Sequence, residues 1–165
     1  MFGQFTALII HSQKDFNNQI KDYLESKDYI CQQVITYKDL ENYFENHTYD
    51  CVIIEDNFPR IQIRDFLVQI KLRGQPITIV LSDALAPDYL ESLLNAGADD
   101  YLTEPFALKD LDIKIQSVYK NGILKPRRIY RFKDIVMDTT AKTCSCNGKA
   151  LTLTKNEYKL LSILI

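Results

Sequence analysis

The sequence lacks an apolar run long enough to cross a membrane, which requires about 20 consecutive apolar residues. The run Ala7–Ile10 is far too short, and the start Met1–Gln4 does not resemble a signal peptide. We therefore expect a cytoplasmic protein without a membrane partner. An excess of positive charge is also missing, because 20 Lys and Arg stand against 22 Asp and Glu. Bulk electrostatics thus give no support for binding to nucleic acid.

Cysteine is scarce, and its four positions do not form a metal-binding pattern. Cys31 and Cys51 lie in apolar, strand-like runs, which is typical of small core residues. Cys144 and Cys146 form a C-x-C pair without a second Cys or His pair nearby. Two thiols on one face of a strand are therefore favoured over a zinc or redox site, and no metal site is predicted.

The 165 residues suffice for one complete domain and part of another. Apolar strand-like runs alternate with segments of helical spacing up to Tyr119, which predicts an α/β fold: a doubly wound, five-stranded parallel sheet. The predicted strands are Phe5–Ile10, Ile30–Ile35, Cys51–Ile54, Ile77–Leu81 and Tyr101–Leu102. The predicted helices are Lys14–Ser26, Lys38–Glu45, Asp65–Arg73, a segment from Pro87 to a stop at Gly97, and Leu108–Tyr119.

Ligand chemistry in such sheets lies at the carboxyl ends of the strands. The segments that follow four of the predicted strands are His11-Ser12-Gln13, Glu55-Asp56-Asn57, Ser82-Asp83 and Thr103-Glu104-Pro105. These loops define the candidate site. The carboxylate of Glu104 is unexpected here, because this edge of an α/β sheet usually binds anions.

The pattern changes after Tyr119, where residues 122–128 are expected to form a linker between a domain at 1–121 and a partial one at 129–165. Two alternating stretches, with a turn signal at Asn147-Gly148, predict a small antiparallel sheet. Thr154 and Glu157 form a capping box that opens an apolar helix. Because that helix, with Tyr158, Leu160, Leu161, Ile163 and Leu164, ends without a cap, we expect the chain to be cut within a domain.

Three stretches of the first part carry a resemblance to a known family. They are YDCVIIEDNFP (Tyr49–Pro59), LSD (Leu81–Asp83) and GADDYLTEPF (Gly97–Phe106). With these motifs, and with the later stretch Ile135–Leu164, the chain resembles an atypical response regulator of the OmpR/PhoB type. The resemblance implies a flavodoxin- or CheY-like receiver, followed by the start of a winged-helix DNA-binding domain. It also implies transcription regulation within a two-component system rather than an enzyme.

In that family an Asp at the end of the third strand accepts a phosphoryl group. Two acids hold Mg²⁺, and a hydroxyl and a Lys bind the phosphoryl oxygens, because Mg²⁺ requires hard oxygen ligands and the transferred group requires positive charge. The matching positions here hold His11 and Ser12 for the acids, Glu55 for the acceptor, Ser82 for the hydroxyl and Glu104 for the Lys. We therefore expect a degenerate pocket that is not phosphorylated and does not bind Mg²⁺.

Two alternatives concern the same pocket. Asp56 could serve as the acceptor if the third strand were shifted by one residue, but such a shift would turn its side chains to the opposite face. A second hypothesis joins His11 with Glu55 or Glu104 and Ser82 in an internal polar network. The opposing interpretation is that these are unrelated residues around a disused pocket, and a catalytic role lacks any supporting motif.

The resemblance also assigns a switch position and a dimer face. Tyr101 falls at the aromatic switch position of the fifth strand. The family dimerises through its fourth helix, fifth strand and fifth helix, where Leu90 replaces a basic residue and offers an apolar contact instead. The other matching positions of this face are Asp99, Asp100, Asp110 and Lys114.

These observations favour a DNA-binding transcription regulator whose receiver dimerises independently of phosphorylation. Contact with DNA would need the complete C-terminal domain, because the chain holds no recognition helix. A stand-alone interaction module and a small-molecule sensor are the alternatives. The sequence leaves a sensor kinase open.

Overall fold

The structure is a computed structural model that describes residues 5–123, 129–138, 143–154, 156–157 and 160–161. The chain divides into two compact units, Met1–Gly122 and Ile123–Ile165. Within the described residues, no helix combines the length and the apolar character that crossing a bilayer requires.

The first unit is built on a parallel sheet whose strand order is β2-β1-β3-β4-β5. The strands are β1 Phe5–Ile10, β2 Tyr29–Val34, β3 Cys51–Glu55, β4 Ile77–Ser82 and β5 Asp100–Thr103. The three inner strands are apolar along almost their whole length because helices cover both faces of the sheet. The predicted five-stranded, doubly wound sheet is thereby confirmed.

Each strand is followed by a helix. The helices are α1 Lys14–Glu25, α2 Tyr37–Asn46, α3 Ile63–Leu72, α4 Pro87–Ala96 and α5 Leu108–Ile123. Successive residues of β3 point to opposite faces, so that Ile54 packs with the apolar residues of α2, α3 and α4, whereas Ile53 packs with those of α1 and α5. Because the five strands are parallel, all the strand ends that carry the candidate site lie along one edge of the sheet.

Local sequence signals explain where several helices begin and end. Thr36 caps α2, because its hydroxyl accepts from the Asp39 N–H at 3.3 Å while Asp39 binds back to the Thr36 N–H at 3.3 Å. Gly97 ends α4 with a φ of 124°, a conformation that disfavours side chains with a Cβ. The predicted end of α5 at Tyr119 is wrong: the helix continues to Ile123, because Gly122 does not adopt the positive φ that ends a helix.

The second unit contains an antiparallel sheet in the order β6-β7-β8-β9. Its strands are β6 Ile129–Phe132, β7 Ile135–Asp138, β8 Thr143–Cys146 and β9 Lys149–Leu151. Asn147 and Gly148 both have positive φ, at 51° and 76°, as the predicted hairpin turn requires. Cys144 is buried on β8 and Cys146 is half-buried, and both are free thiols.

The predicted capping box after this sheet is present. The Glu157 carboxylate accepts from the Thr154 N–H at 2.7 Å, and the Thr154 hydroxyl accepts from the Glu157 N–H at 3.3 Å. Hydrogen bonds from the Thr154 backbone, and then from its side chain, to the carboxylate lower the pKa of Glu157. Of the predicted apolar helix, Tyr158, Ile163 and Leu164 lie outside the described residues, as do residues 124–128 of the expected linker.

Candidate functional site

The candidate site begins at His11, the residue that follows β1. Its side chain is only 2% exposed. Its backbone is held from two sides: the His11 N–H donates to the Val34 carbonyl at 3.1 Å, and the Asn17 side-chain amide donates to the His11 carbonyl at 3.1 Å. Asn17 also donates to the Val34 carbonyl at 3.0 Å and is completely buried. It therefore fixes the loop that presents His11 to the sheet edge.

The imidazole of His11 lies between two carboxylates. Its Nε2 atom is 3.4 Å from Glu55 Oε2 and 3.5 Å from Glu104 Oε1. On the other side of the ring, Nδ1 accepts from the Gln13 N–H at 3.2 Å. A neutral ring that accepts at Nδ1 carries its proton on Nε2, the ring nitrogen that lies near the two acids. Within the described residues Nε2 makes no hydrogen bond of good geometry, and the contact is electrostatic.

The two carboxylates differ in their surroundings. Glu55 is 6% exposed, and its Oε1 accepts from the Ser12 N–H at 2.7 Å. The Glu104 side chain is 36% exposed, and its backbone N–H donates to the Ser82 carbonyl at 2.8 Å. One acid is therefore built into the floor of the site, whereas the other closes its rim and remains partly hydrated. The structure places His11, Ser12, Glu55 and Glu104 together, as expected for residues at the carboxyl ends of neighbouring parallel strands.

Ser82 belongs to a different cluster. Its hydroxyl donates to Asp56 Oδ2 at 2.5 Å, and the same oxygen accepts from the Tyr89 hydroxyl at 3.0 Å. The expectation that Ser82 joins the network of His11 is therefore wrong, because its one proton is used by Asp56. Asp56 is half-buried and accepts both of these hydrogen bonds, so its carboxylate is engaged within the chain.

Tyr89, on α4, is a site residue that sequence analysis missed. Burial, followed by the hydrogen bond to the Asp56 carboxylate, raises the pKa of Tyr89 to about 12. Both causes favour the protonated phenol, which is the form that can donate to Asp56. In the sequence, Tyr89 was distinguishable only as an apolar position of a helix.

The register of β3 bears on the alternative acceptor. Ile54 pairs with Val80 and Glu55 with Leu81, and the Asp56 N–H donates to the Leu81 carbonyl at 2.9 Å. Glu55 is the last residue of the strand and points into the site. The one-residue shift that would exchange Glu55 for Asp56 does not occur in the structure.

The resemblance to response regulators implies Mg²⁺ at this edge, so the donor atoms can be tested for their fit to that ion. Mg²⁺ requires octahedral oxygen ligands, commonly carboxylates with water. Here one buried carboxylate already accepts from Ser12, and a histidine and a serine stand where two further acids are required. Among the described residues, no group of three or more His, Cys, Asp or Glu is arranged to hold a metal ion. The donors do not fit Mg²⁺.

The residues assigned to a dimer face mostly make contacts within the chain. Leu90 is 7% exposed and packs in the core, so the expected apolar contact at this position is wrong. Asp99 Oδ2 accepts from the Thr78 N–H at 2.8 Å, and Asp99 Oδ1 lies 3.5 Å from the Lys71 ammonium. Asp99 therefore joins β4 to β5 and is not a free surface acid.

Asp100 and Lys114 form an ion pair of 2.8 Å within the chain. The Lys114 ammonium also lies 5.8 Å from the centre of the Tyr101 ring, which is half-buried at the predicted switch position. Asp110 is half-buried in the first turn of α5. Pairs between subunits at Asp100 and Lys114 would have to compete with this internal contact.

A doubly wound sheet with strand order 2-1-3-4-5, with His11, Glu55 and Glu104 clustered at the carboxyl ends of its strands, defines a receiver-like domain. The response regulator receiver domain family matches residues 7–116. The chain therefore belongs to the response regulator receiver domain family, which confirms the expected family.

Relatives of known role support this assignment. The chain is 29% identical over 120 residues to the cell cycle transcriptional regulator CtrA of Caulobacter vibrioides. The matched region covers 72% of this chain and 52% of that protein. It is 30% identical over 121 residues to the response regulator ArlR of Staphylococcus saprophyticus, covering 73% and 54%. The match to the transcriptional regulatory protein RprY of Bacteroides fragilis, at 24% identity, covers 99% of this chain and 71% of that protein. The chain spans about half the length of the first two relatives.

Solved structures agree on the fold. The response regulator DrrB of Thermotoga maritima, an OmpR/PhoB homologue, matches with a TM-score of 0.66 at 22% identity, covering 98% of this chain and 72% of that one. The orphan response regulator HP1043 of H. pylori matches with a TM-score of 0.63 at 22% identity, covering 72% and 98%. At this identity the likeness shows the fold alone.

Proposed function

We propose that this chain is the receiver, and the beginning of the DNA-binding domain, of a transcription regulator that works without phosphorylation and is not an enzyme. The observation that carries the proposal is the arrangement of His11 between Glu55 and Glu104. His11, Glu55 and Glu104 stand at the positions where the family's motif has a metal ligand, the acceptor Asp and a Lys. The names of the relatives, which are transcriptional regulators, support the DNA-binding role.

Electrostatics oppose a phosphoryl group at this edge. A phosphoryl group carries close to two negative charges at neutral pH. Each carboxylate within about 4 Å would repel a unit negative charge by about 4 kcal/mol at an effective dielectric constant near 20. Among the described residues that form the site, His11, Ser12, Glu55 and Glu104, none carries a permanent positive charge to offset this repulsion.

Beryllofluoride with Mg²⁺, which mimics a bound phosphoryl group, tests the pocket directly. We expect the amide NMR signals of Ser12, Asp56 and Ser82 to stay unchanged when both are added to the labelled chain. If signals do shift, repeating the addition with the Asp56→Asn variant shows whether the shift depends on the Asp56 carboxylate. Saturable shifts at these amides in the unaltered chain would contradict the proposal, whichever acid supports them.

We also propose that the receiver forms a homodimer through α4, β5 and α5. Leu94 on α4 and Ile113 on α5 are 40% and 60% exposed, which gives both helices an apolar surface. Asp110 and the ion pair of Asp100 with Lys114 supply charges on the same elements. DNA contact is proposed only for a protein that completes the C-terminal domain.

A further inference from the structure

Asp56 joins three separate elements through a single carboxylate oxygen. It lies just after β3, and its Oδ2 accepts from Ser82 at the end of β4 and from Tyr89 in α4. The two distances are 2.5 and 3.0 Å. We call these three residues the Asp56 clasp.

The direction of both hydrogen bonds is fixed by their surroundings. The Ser82 oxygen accepts from the Ala84 N–H at 3.0 Å, so its own proton is free to be donated to Asp56. Tyr89 can only donate, since its partner is an acceptor. Hydrogen bonds to a charged group are shorter and stronger than neutral ones, and this oxygen receives two of them.

The first turn of α4 lacks a side-chain cap, and its inner side is held by the packing of the Tyr89 ring against the core. Its N-cap residue, Ala86, has no side chain that could bind the free N–H groups. Leu85 is 77% exposed, and Pro87 and Asp88 are exposed as well. The apolar anchors Leu90 and Leu93 begin only one residue after Tyr89. The clasp is thus placed in the uncapped turn that precedes these anchors, where it adds polar contacts to the packing of the Tyr89 ring.

We propose that the Asp56 clasp fixes the first turn of α4 against the ends of β3 and β4, and so sets one position of α4 without modification of the chain. The carboxylate does this permanently, because it is part of the sequence. The inference rests on the proposed function in one respect: Ser82 must remain available to Asp56 and not be engaged by a bound anion.

Hydrogen exchange of the α4 amides tests the clasp in the unmodified 165-residue chain, without a phosphodonor or Mg²⁺. The Tyr89→Phe and Asp56→Ala variants should each raise exchange in α4 about three- to tenfold, because each removes a hydrogen bond to a charged group. Ser82→Ala should give a smaller increase, since it leaves the bond from Tyr89 in place. Tyr23→Phe removes a hydroxyl from α1 and serves as the matched control, with no change expected in α4.

Two results would overturn the inference. One is exchange in α4 within twofold of the unaltered chain for both Tyr89→Phe and Asp56→Ala. The other is an equal rise in α1 and α4, which would indicate a loss of global stability instead of a local release. Neither result depends on phosphodonor labelling, so the proposed function and the clasp can fail separately.

Discussion

At the scale of single residues, the sequence predicted where the site residues lie better than it predicted which residues they contact. The strand-end rule and the family's spacing located His11, Glu55 and Glu104, because the carboxyl ends of parallel strands converge on one edge. Asn17 and Tyr89 were missed, since a polar or aromatic residue within a helix gives no sign of the neighbour it reaches. Ser82 was located correctly but given the wrong partner, because several acceptors lie within reach of one hydroxyl.

Asn17 is predicted to be essential for the stability of the site. Replacing it with Ala removes the side-chain donor to the His11 carbonyl and to the Val34 carbonyl, of which the latter keeps the bond from the His11 N–H. We expect a loss of about 2–4 kcal/mol in the free energy of unfolding, measured with urea. Asn95→Ala, at an exposed position of α4, is the control and should change stability by less than about 0.5 kcal/mol. Equal effects from both variants would show that Asn17 does not hold the loop.

Tyr89 is predicted to make stability sensitive to alkaline pH. Its pKa is raised to about 12 in the folded chain, whereas an unfolded tyrosine ionises near about 10. Tyr89 therefore keeps its proton to a higher pH in the folded state. Its contribution to the free energy of unfolding is complete below about pH 10 and is lost as the pH rises toward about 12. Urea unfolding at pH 8 and 11 should show a smaller loss for Tyr89→Phe than for the unaltered chain. An identical loss in both chains would remove Tyr89 as the cause.

At the scale of elements, the strands were predicted more accurately than the helix ends. Each apolar strand run is bounded by polar residues, so the predicted and observed strands differ by at most one residue at either end, and β1 matches at both ends. Helix ends depend on caps and on backbone conformation. The capping box of Thr36 was overlooked, and α5 passes through Asn121 and Gly122 because neither adopts the left-handed conformation that would end it.

Two glycines provide a matched test of this distinction. Gly97 has a φ of 124°, and a Cβ at this position would lie 3.0 Å from the Lys71 Cγ atom. Gly97→Ala should therefore lower the free energy of unfolding by about 1–2 kcal/mol. Gly122 lies in α5, and a Cβ added there would meet no atom within 4 Å, so Gly122→Ala should be neutral or stabilise by up to about 1 kcal/mol. The same sign for both substitutions in urea unfolding would contradict the assignment of the two backbones.

At the scale of the whole molecule, the fold and family followed from the alternating pattern and the motifs, whereas the assembly did not. The contacts of Leu90, Asp99, Asp100 and Lys114 within the chain became visible only in three dimensions. A sequence position on a family's dimer face does not show whether its side chain is free to meet a second subunit.

The proposed homodimer predicts a specific loss of association. Lys114→Glu would place a negative charge beside Asp100 on the proposed face, so sedimentation velocity should show a higher proportion of monomer. Lys38→Glu makes the same charge change on α2, away from that face, and should leave the association unchanged. A dimer that survives Lys114→Glu, or one that both variants weaken equally, would count against this interface.

We propose that the acidic side chains of this receiver take the place of phosphorylation. Incubation with acetyl phosphate and Mg²⁺, followed by intact-mass measurement, tests it most directly. A variant with His11→Asp, Ser12→Asp, Glu55→Asp and Glu104→Lys restores the family's residue types and is the positive control. We predict no added phosphoryl mass on the unaltered chain, and on the restored variant an addition that hydroxylamine removes, as expected of an acyl phosphate. A stoichiometric addition on the unaltered chain would show that this receiver still accepts a phosphoryl group.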